Sequence, residues 1–394
     1  MRVDSDWMVR NIGFDPVLHP MPAGSFSNKN VLAAVTKKKA VQDVDLQREI
    51  IDFDSEAAEG MAFLAFSTAT GLSRFTDIPW PDGKQPITDK TARKGSAGSL
   101  PNADVLIVTW TVDEGHALSR VLTPGKDSRN DYVPYKKNFA KISVNMLPRC
   151  PARQAGRLGA YWTCKIAGKT AVVFKSDSHM SQDGPKLPNI DVWAQIISEV
   201  RPKLVITTGT AGGIGADVEV GDVVVSPVVR FDCTQRFKNF KFDGALIAND
   251  VFKSDALSAL KVAPDLLAAN AGQLPKDNTR APMVLTTGVD DLADSVVTTD
   301  FFGFDISDNH YGLKGLGHVC EMGDAVLGLV AQKLKDAGST MPTYLAVRNV
   351  SDPQIKADGT LEQQKQRAAA IYKAFGRWSS VCSAIASWAL IVQL

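Results

Sequence analysis

The sequence predicts an α/β protein with a mostly parallel sheet. Continuous apolar runs of strand length alternate with segments of helical spacing from residue 104 onward, and that alternation is typical of strand–helix–strand units. Apolar runs without a polar alternation indicate strands that are buried on both faces. Residues 1–100 lack this pattern and are predicted to be an N-terminal extension of unknown role, followed by a domain over 101–394.

Each predicted element has a local reason. Strands are expected where Val, Ile and Leu run together, and helices where apolar residues recur every three or four positions. The predicted strands cover 104–110, two segments within 160–176 joined at Ala167-Gly168, 203–209, a long strand at 219–232, 281–288 and 343–352, and the predicted helices cover 189–200, 322–338 and 361–390. A further helix is possible at 56–75, inside the extension.

The overall composition excludes several functional classes. Of the 394 residues, 44% are apolar and the net charge is +1, which gives no electrostatic reason for binding nucleic acid or an acidic membrane. Five scattered cysteines without a CxxC pair argue against a disulfide framework or a zinc site and fit a reducing cytoplasm. The N-terminus has no apolar core of a signal peptide, and the apolar C-terminal stretch is interpreted as a buried helix rather than a membrane span.

Four strand ends carry glycine or polar residues, at 109–116, 175–179, 208–213 and 348–353. Ligands of open α/β sheets bind at the carboxyl ends of strands, so these segments are the candidate site. The glycine-rich segment has the spacing G-x-x-G-G-x-G, which fits neither the dinucleotide fingerprint nor the P-loop. Glycines there are expected to form a turn that lets a flat ligand approach the backbone.

Four stretches together resemble the nucleoside phosphorylase and nucleosidase superfamily, which includes purine nucleoside phosphorylases and the nucleosidases of 5′-methylthioadenosine and S-adenosylhomocysteine. They are LIVTWTVDEGHAL (106–118), ITTGTAGGIGADVEVGDVVVS (206–226), CEMGDA (320–325) and LAVRNVSD (345–352). The resemblance implies a nucleoside phosphorylase-like mixed sheet flanked by helices. It also implies cleavage of the N-glycosidic bond of a purine nucleoside or nucleotide, a homo-oligomer, and no cofactor or metal, with phosphate possible as a co-substrate.

Two carboxylates are the candidate catalytic residues. Asp352 matches the family's acid, which protonates or hydrogen-bonds the leaving purine if burial raises its pKa; alternatively it caps a helix. Glu114 matches the carboxylate that activates water as general base in hydrolytic relatives; alternatively it is a first-turn helix residue favoured by the helix dipole. His116 and His179 are weaker candidates as helpers.

The resemblance also implies the substrate contacts. A carboxylate can accept two hydrogen bonds from the vicinal diol of a ribose, but the family's second Glu falls on Gly323 here, and Asp324 lies one residue further on. One residue turns a helix by about 100°. The sequence therefore leaves open whether Asp324 can bind ribose and whether the protein is active. The predicted substrate-binding residues are Ser176, Ala211, Gly212, Glu321, Met322 and Asp324.

Charge distribution favours hydrolysis over phosphorolysis, because Asp113 and Glu114 would repel a phosphate dianion. A phosphorylase and a non-catalytic nucleoside sensor remain the alternatives. A basic insertion at 123–157, which includes Lys136 and Lys137, is either a solvated loop or a lid that meets the phosphate of a nucleotide such as AMP.

Overall fold

A computed structural model describes residues 78–394, apart from 149, 234–236, 238–245, 249–262, 288–294, 302, 340 and 341. The possible helix at 56–75 and most of the predicted N-terminal extension lie outside the described residues. Residues 78–100 lie against the domain: Trp80 packs on Trp388, and a short strand at Ile87–Thr88 joins the main sheet.

The described strands form a single mixed sheet. In chain order they are β1 (Ile87–Thr88), β2 (Val105–Thr109), β3 (Val133–Tyr135), β4 (Gly159–Ile166), β5 (Lys169–Ser176), β6 (Leu204–Gly213), β7 (Val223–Ser226), β8 (Val228–Asp232), β9 (Leu246–Ala248), β10 (Val284–Thr286), β11 (Val296–Thr299), β12 (Val319–Glu321) and β13 (Thr343–Asp352).

The described α-helices flank this sheet and alternate with its strands. They are α1 (Val112–Leu122), α2 (Phe139–Ser143), α3 (Pro151–Ala155), α4 (Met180–Asp183), α5 (Asn189–Val200), α6 (Ala263–Asn270), α7 (Asp324–Asp336) and α8 (Leu361–Gln393). The class predicted from the sequence, an α/β protein with a mixed sheet between helices, is confirmed. The sheet is less parallel than expected, since β4–β5, β6–β12, β7–β13 and β8–β9 are all antiparallel pairs.

Strand β6 is the centre of the sheet and organises the site. Its first half pairs in parallel with β2, and most of its length pairs in parallel with β13. Its last two residues, Gly212 and Gly213, pair antiparallel with β12. Because β2, β6 and β13 run in the same direction, their carboxyl ends meet at one edge of the sheet, which is where ligands bind in such folds.

Two details of the predicted strands were wrong. The glycine-rich segment is not a turn after a strand: β6 continues through it to Gly213, because β13 and β12 supply hydrogen-bonding partners on both sides. The long strand at 219–232 is two strands, broken at Pro227. Proline has no N–H to donate to a sheet, and the Ser226 hydroxyl bonds the backbone of Val228 around the break.

The C-terminal helix α8 is a core element. By length and composition it could cross a membrane, but 83% of its most apolar stretch is buried within the domain. Thr360 caps it: the Thr360 hydroxyl accepts from the Gln363 N–H, and the Gln363 side chain accepts from the Thr360 N–H. This reciprocal capping satisfies two backbone donors that a helix start otherwise leaves unpaired.

Trp388 is expected to anchor residues 78–84 to the domain. Its indole is fully buried, packs 4.6 Å from the ring of Trp80, and donates to the Lys84 carbonyl at 2.7 Å. We predict that Trp388→Ala lowers the free energy of unfolding by about 3–5 kcal/mol and exposes the Lys84 region to trypsin. Leu394→Ala, at the exposed end of the same helix, should change stability by less than about 0.5 kcal/mol. Denaturant unfolding that gave equal values for both variants would contradict this role.

Candidate active site

A cavity opens where β2, β6, β12 and β13 end. It holds about 590 Å³ of space free of protein atoms, a volume that includes open solvent. Its described lining comes from segments that are far apart in the chain: Trp110, Thr111, Glu114, His179, Thr210, Ala211, Gly212, Thr299, Gly303, Cys320, Glu321, Met322, Arg348, Ser351, Asp352 and Tyr372. Both predicted catalytic carboxylates therefore face the same cavity.

Glu114 is held by five hydrogen bonds. Its Oε2 accepts from the Thr109 hydroxyl and from the backbone N–H groups of Trp110 and Thr111, at 2.7–2.9 Å. Its Oε1 accepts from the N–H and the hydroxyl of Thr210, at 2.7 and 2.6 Å. The Thr111 hydroxyl in turn accepts from the Glu114 N–H, so Glu114 completes a capping box at the start of α1. The helix-start interpretation of Glu114 is thus correct, and it does not remove the residue from the cavity.

The surroundings of Glu114 favour its ionised form. Burial alone would raise the pKa of this carboxyl, but the charge of Arg348 and the hydrogen bonds from Thr210 and Thr111 outweigh burial and hold the pKa below its usual value. Glu114 is therefore an anion at neutral pH, fixed in position at the floor of the cavity.

Gly209 makes this arrangement possible. A Cβ built on Gly209 would lie 2.4 Å from both Cδ and Oε1 of Glu114, and Gly209 has a φ of +150°. The glycine thus clears space for a catalytic candidate. Gly212 has a similar role beside Asp352, since its Cβ would lie 3.1 Å from Asp352 Oδ2.

Asp352 presents the opposite electrostatic environment. The register between β13 and β6 shifts between Val350 and Asp352, and such bulges re-aim side chains next to active sites. Asp352 Oδ1 accepts from the Ser351 hydroxyl at 2.8 Å, whereas its buried Oδ2 has no hydrogen-bond partner. Burial raises the pKa of Asp352 to about 7, despite the Ser351 hydrogen bond. It does not cap a helix, because the next described helix begins at Leu361.

A buried ion cluster forms part of the cavity wall. Arg348 binds Asp324 with two hydrogen bonds, from Nε to Oδ2 at 2.8 Å and from Nη2 to Oδ1. Its Nη2 also lies 3.2 Å from Glu321 Oε2. Burial and the charge of Asp324 raise the pKa of Glu321 to about 8. The arginine charge is thus paired with Asp324 and lies close to the Glu321 carboxyl, on side chains that are almost fully buried.

The predicted substrate-binding residues separate into two groups. Ala211, Gly212, Glu321 and Met322 line the cavity. Asp324 does not: it is fully buried and both of its oxygens are bound to Arg348, so the expected contact with ribose hydroxyls is not available to it.

Ser176 is also absent from the described lining. Its hydroxyl donates to the Ser178 carbonyl and accepts from the Ser178 N–H in a local turn.

The two candidate histidines also differ in whether they line the cavity. His179 lines the cavity, and its Nδ1 lies 2.7 Å from the Ser181 hydroxyl. His116 is buried on α1, 3.4 Å from Asp127, and is not part of the described lining. Burial, with the charge of Arg129, lowers the pKa of His116 well below its usual value.

The basic insertion at 123–157 folds onto the domain through β3, α2 and α3. Several of its cations have partners there: Lys137 pairs with Glu199 at 3.0 Å and Arg157 with Asp177 at 2.7 Å. Neither these residues nor Lys136 line the described cavity. The idea that the insertion meets a phosphate of the substrate gains no support from this placement.

Nine residues of the described lining were not singled out from the sequence, among them Trp110, Thr210, Arg348 and Tyr372. Arg348 carries a signal, because a charged residue inside a buried strand needs a partner. No local sequence pattern indicated that Tyr372 lines the cavity, because its position depends on how α8 packs on α1. The Tyr372 hydroxyl donates to Thr111 Oγ1 at 3.1 Å. Within the described chain, no group of three or more His, Cys, Asp or Glu side chains is placed to hold a metal ion.

Comparison with known proteins agrees with the fold. The model of the phosphorylase superfamily matches residues 132–377, more than half of the chain, and the protein therefore belongs to this superfamily. A 5′-methylthioadenosine/S-adenosylhomocysteine nucleosidase of Chromohalobacter salexigens is 53% identical over 36 residues, which are 9% of this chain and 15% of that protein. The matched part thus spans about a seventh of that curated relative.

Two solved structures match a larger part of the chain at low sequence identity. A 5′-methylthioadenosine/S-adenosylhomocysteine nucleosidase of Neisseria meningitidis, in complex with methylthio-immucillin-A, is 17% identical with a TM-score of 0.46, and the match covers 74% of this chain and 100% of that one. Futalosine hydrolase of Helicobacter pylori is 13% identical with a TM-score of 0.44, covering 74% and 97%.

The packing of Gly209 against Glu114 gives a direct prediction. Gly209→Ala should push the Glu114 carboxylate away from Thr210 and leave buried hydrogen-bonding groups unpaired, at a cost of at least about 2 kcal/mol in the free energy of unfolding. Gly272→Ala is the matched control, because a Cβ there meets nothing within 4 Å; it should stay within about 0.5 kcal/mol. Equal stability of the two variants in urea unfolding would show that Glu114 does not depend on this glycine.

Proposed function

We propose that the protein cleaves the N-glycosidic bond of a purine nucleoside, with water as the nucleophile. One observation carries the proposal: Glu114 and Asp352 line one cavity, and their pKa values are shifted in opposite directions. Pairs of carboxyl groups whose environments separate their pKa values are the usual sign of acid and base roles. Membership of the phosphorylase superfamily supports the same reaction class.

Asp352 is proposed as the general acid. It donates its proton to N7 of the purine while the bond between C1′ and N9 breaks and the bonding electrons move to the base. An acid of pKa about 7 is half protonated at neutral pH, which suits this task. The unpartnered Oδ2 is the atom available to carry and deliver the proton.

Glu114 is proposed to act on the sugar side. As C1′ becomes an oxocarbenium-like cation, the fixed negative charge of Glu114 stabilises it. The oxygen of a water then bonds to C1′ and its proton passes to Glu114, which completes the addition of water across the broken bond. The protons on the two carboxyls are later re-equilibrated with solvent.

The hydrogen bonds of Glu114 are compatible with this role. Two of its five donors are the hydroxyls of Thr109 and Thr210, and a hydroxyl can rotate to another acceptor. A water molecule can then take the vacated lone pair. Because its pKa is low, Glu114 orients the water first and accepts the proton only once the cation at C1′ has made that water acidic.

Three observations favour water over phosphate and a nucleoside over a nucleotide. Arg348 is the one arginine or lysine in the described cavity lining, and it is already bound to Asp324. The anionic Glu114 would repel a phosphate dianion at close range. The described cations of the insertion also lie outside the lining, so a 5′-phosphate would meet none of them there.

A homo-oligomeric state and a cytoplasmic location are parts of the same proposal. The first is supported by the resemblance to oligomeric nucleosidases, and the second by the five cysteines, which are free and buried.

Product analysis tests the reaction. The protein is incubated with adenosine, 2′-deoxyadenosine, 5′-methylthioadenosine and AMP, with and without phosphate, and free base and sugar products are separated by chromatography. We expect free adenine and free sugar without phosphate, and little release from AMP. Release that requires phosphate and yields a sugar 1-phosphate would identify a phosphorylase. Ligand-dependent thermal stabilisation without any release would identify a nucleoside-binding sensor.

Asp352 should govern the pH dependence of the reaction. Its raised pKa means that the acid is protonated below about pH 7 and loses its proton above that value. We therefore predict that kcat/KM falls about tenfold per unit as pH rises above 7. Asp352→Asn should lower kcat by about 10²–10⁴-fold and abolish this alkaline decline.

The matched control is Asp183→Asn. Asp183 is also buried, and burial likewise raises its pKa to about 7, but it lies outside the described lining. This variant should keep both the activity and the alkaline decline. An Asp352→Asn enzyme with wild-type kcat, or one that retains the same decline, would show that Asp352 is not the acid.

A further inference from the structure

The wall of the cavity beside Gly323 is aromatic. Gly323 follows Glu321 and Met322, which line the cavity, and precedes the first residue of α7. A Cβ on Gly323 would lie 3.3 Å from Cζ2 and 3.5 Å from Cε2 of Trp110. A side chain at position 323 would start in tight contact with the edge of the indole, so Trp110 occupies the space directly beside this position.

Trp110 is held firmly in this position. It is only 4% exposed, the Arg348 guanidinium lies 4.8 Å from its ring centre, and its ring meets that of Trp193 at 5.6 Å. Moving the indole out of the cavity would break a cation–π contact and an aromatic contact together. The aromatic wall is therefore a fixed part of the site.

The carboxyl groups near this wall already accept hydrogen bonds from the protein. Glu321 accepts from the Thr298 hydroxyl and from the Asp324 N–H, and its Oε2 lies 3.2 Å from Arg348. Asp324 gives both oxygens to Arg348, and Glu114 accepts five hydrogen bonds. Among the carboxylates of the described site, Asp352 alone keeps an oxygen without a partner.

These observations indicate which sugar hydroxyls of a nucleoside the cavity wall can bind. A carboxylate can accept hydrogen bonds from both hydroxyls of a vicinal diol, whereas the wall beside Gly323 presents an indole ring. A 2′-hydroxyl placed against the indole would be buried without a hydrogen-bond partner, which is unfavourable. A sugar that lacks this hydroxyl would instead bring a methylene group to an apolar surface.

We propose that Trp110 and Gly323 together make the site select 2′-deoxyribonucleosides over ribonucleosides. The inference rests on the proposed function, because it assumes that the sugar lies between Glu114 and Asp352. It goes further by naming the class of substrate and the two residues that set the preference. Trp110 supplies the apolar surface, and the missing side chain at Gly323 leaves room for it.

The test compares 2′-deoxyadenosine with adenosine in the wild type and three variants. The wild type should favour 2′-deoxyadenosine by at least about 100-fold in kcat/KM, of which about 10-fold or more comes from the wall; the remainder reflects the greater lability of the deoxyribosyl bond. Trp110→Ala with Gly323→Glu should place a carboxylate in the space freed by the indole. This double variant should lower the ratio by at least about 10-fold, mainly through a lower KM for adenosine.

Two variants serve as controls. Gly323→Glu alone should impair both substrates, because the new side chain meets the indole. Trp162→Ala removes another buried tryptophan, whose ring lies outside the described lining; it should leave the ratio unchanged. Binding is measured separately by calorimetry in Asp352→Asn protein, where the dissociation constant of adenosine should exceed that of 2′-deoxyadenosine by about 10-fold or more.

The outcomes distinguish this inference from the proposed function. Equal or better cleavage of adenosine by the wild type would overturn the sugar preference while the glycosidase activity stands. A ratio unchanged in the double variant would overturn the role of Trp110 and Gly323. If neither substrate releases base, the proposed function fails, and equal dissociation constants for the two nucleosides would then overturn the sugar preference as well.

Discussion

The buried ion pair between Arg348 and Asp324 is the interaction on which the candidate site depends. Arg348 lies in β13 and Asp324 at the start of α7, and the pair joins two elements that wall the cavity. A buried charge is tolerated only when it is paired and hydrogen-bonded. The arginine also lowers the pKa of Glu114, so a single cation both joins two elements of the wall and favours the ionised form of a catalytic candidate.

The two catalytic candidates differ in the charges and hydrogen-bond donors that act on them. Glu114 receives five donors and the field of Arg348, so its charge is stabilised despite burial. Asp352 receives one hydroxyl, and burial decides its protonation state. The same side-chain chemistry thus yields an anion and a neutral acid within one cavity. Glycines complete the arrangement, since Gly209 and Gly212 leave room for the two carboxyl groups.

Much of this architecture could be predicted from local sequence. The helix at Asn189–Val200 and the strand at Thr343–Asp352 have the predicted bounds, because uninterrupted apolar runs and helical spacing are strong local signals. The glycine segment at 209–213 was misread as a turn, because the partners that hold it extended, β12 and β13, are more than 100 residues away in the chain. Its local preference was overridden by tertiary pairing.

The site was predictable only where one residue could be judged alone. Asp352 and Glu114 stand at strand ends, which can be seen in the sequence. The pairing of Asp324 with Arg348 could not be predicted from the sequence, because the two residues lie on different elements and meet only in the folded chain. Trp110 and Gly323 likewise lie side by side although they are more than 200 positions apart in the chain, and no local sequence pattern predicts this.

The account's central claim is that Asp352 titrates near pH 7 beside an ionised Glu114, and the ionisation of Asp352 can be measured directly. Carboxyl ¹³C chemical shifts of aspartate-labelled protein, titrated between pH 4 and 9, isolate Asp352 by comparison with the Asp352→Asn spectrum. The account predicts a resonance that titrates with a pKa of about 7. An Asp352 resonance that is fully ionised at pH 6, with a midpoint near the ordinary value of about 3.9, would contradict it.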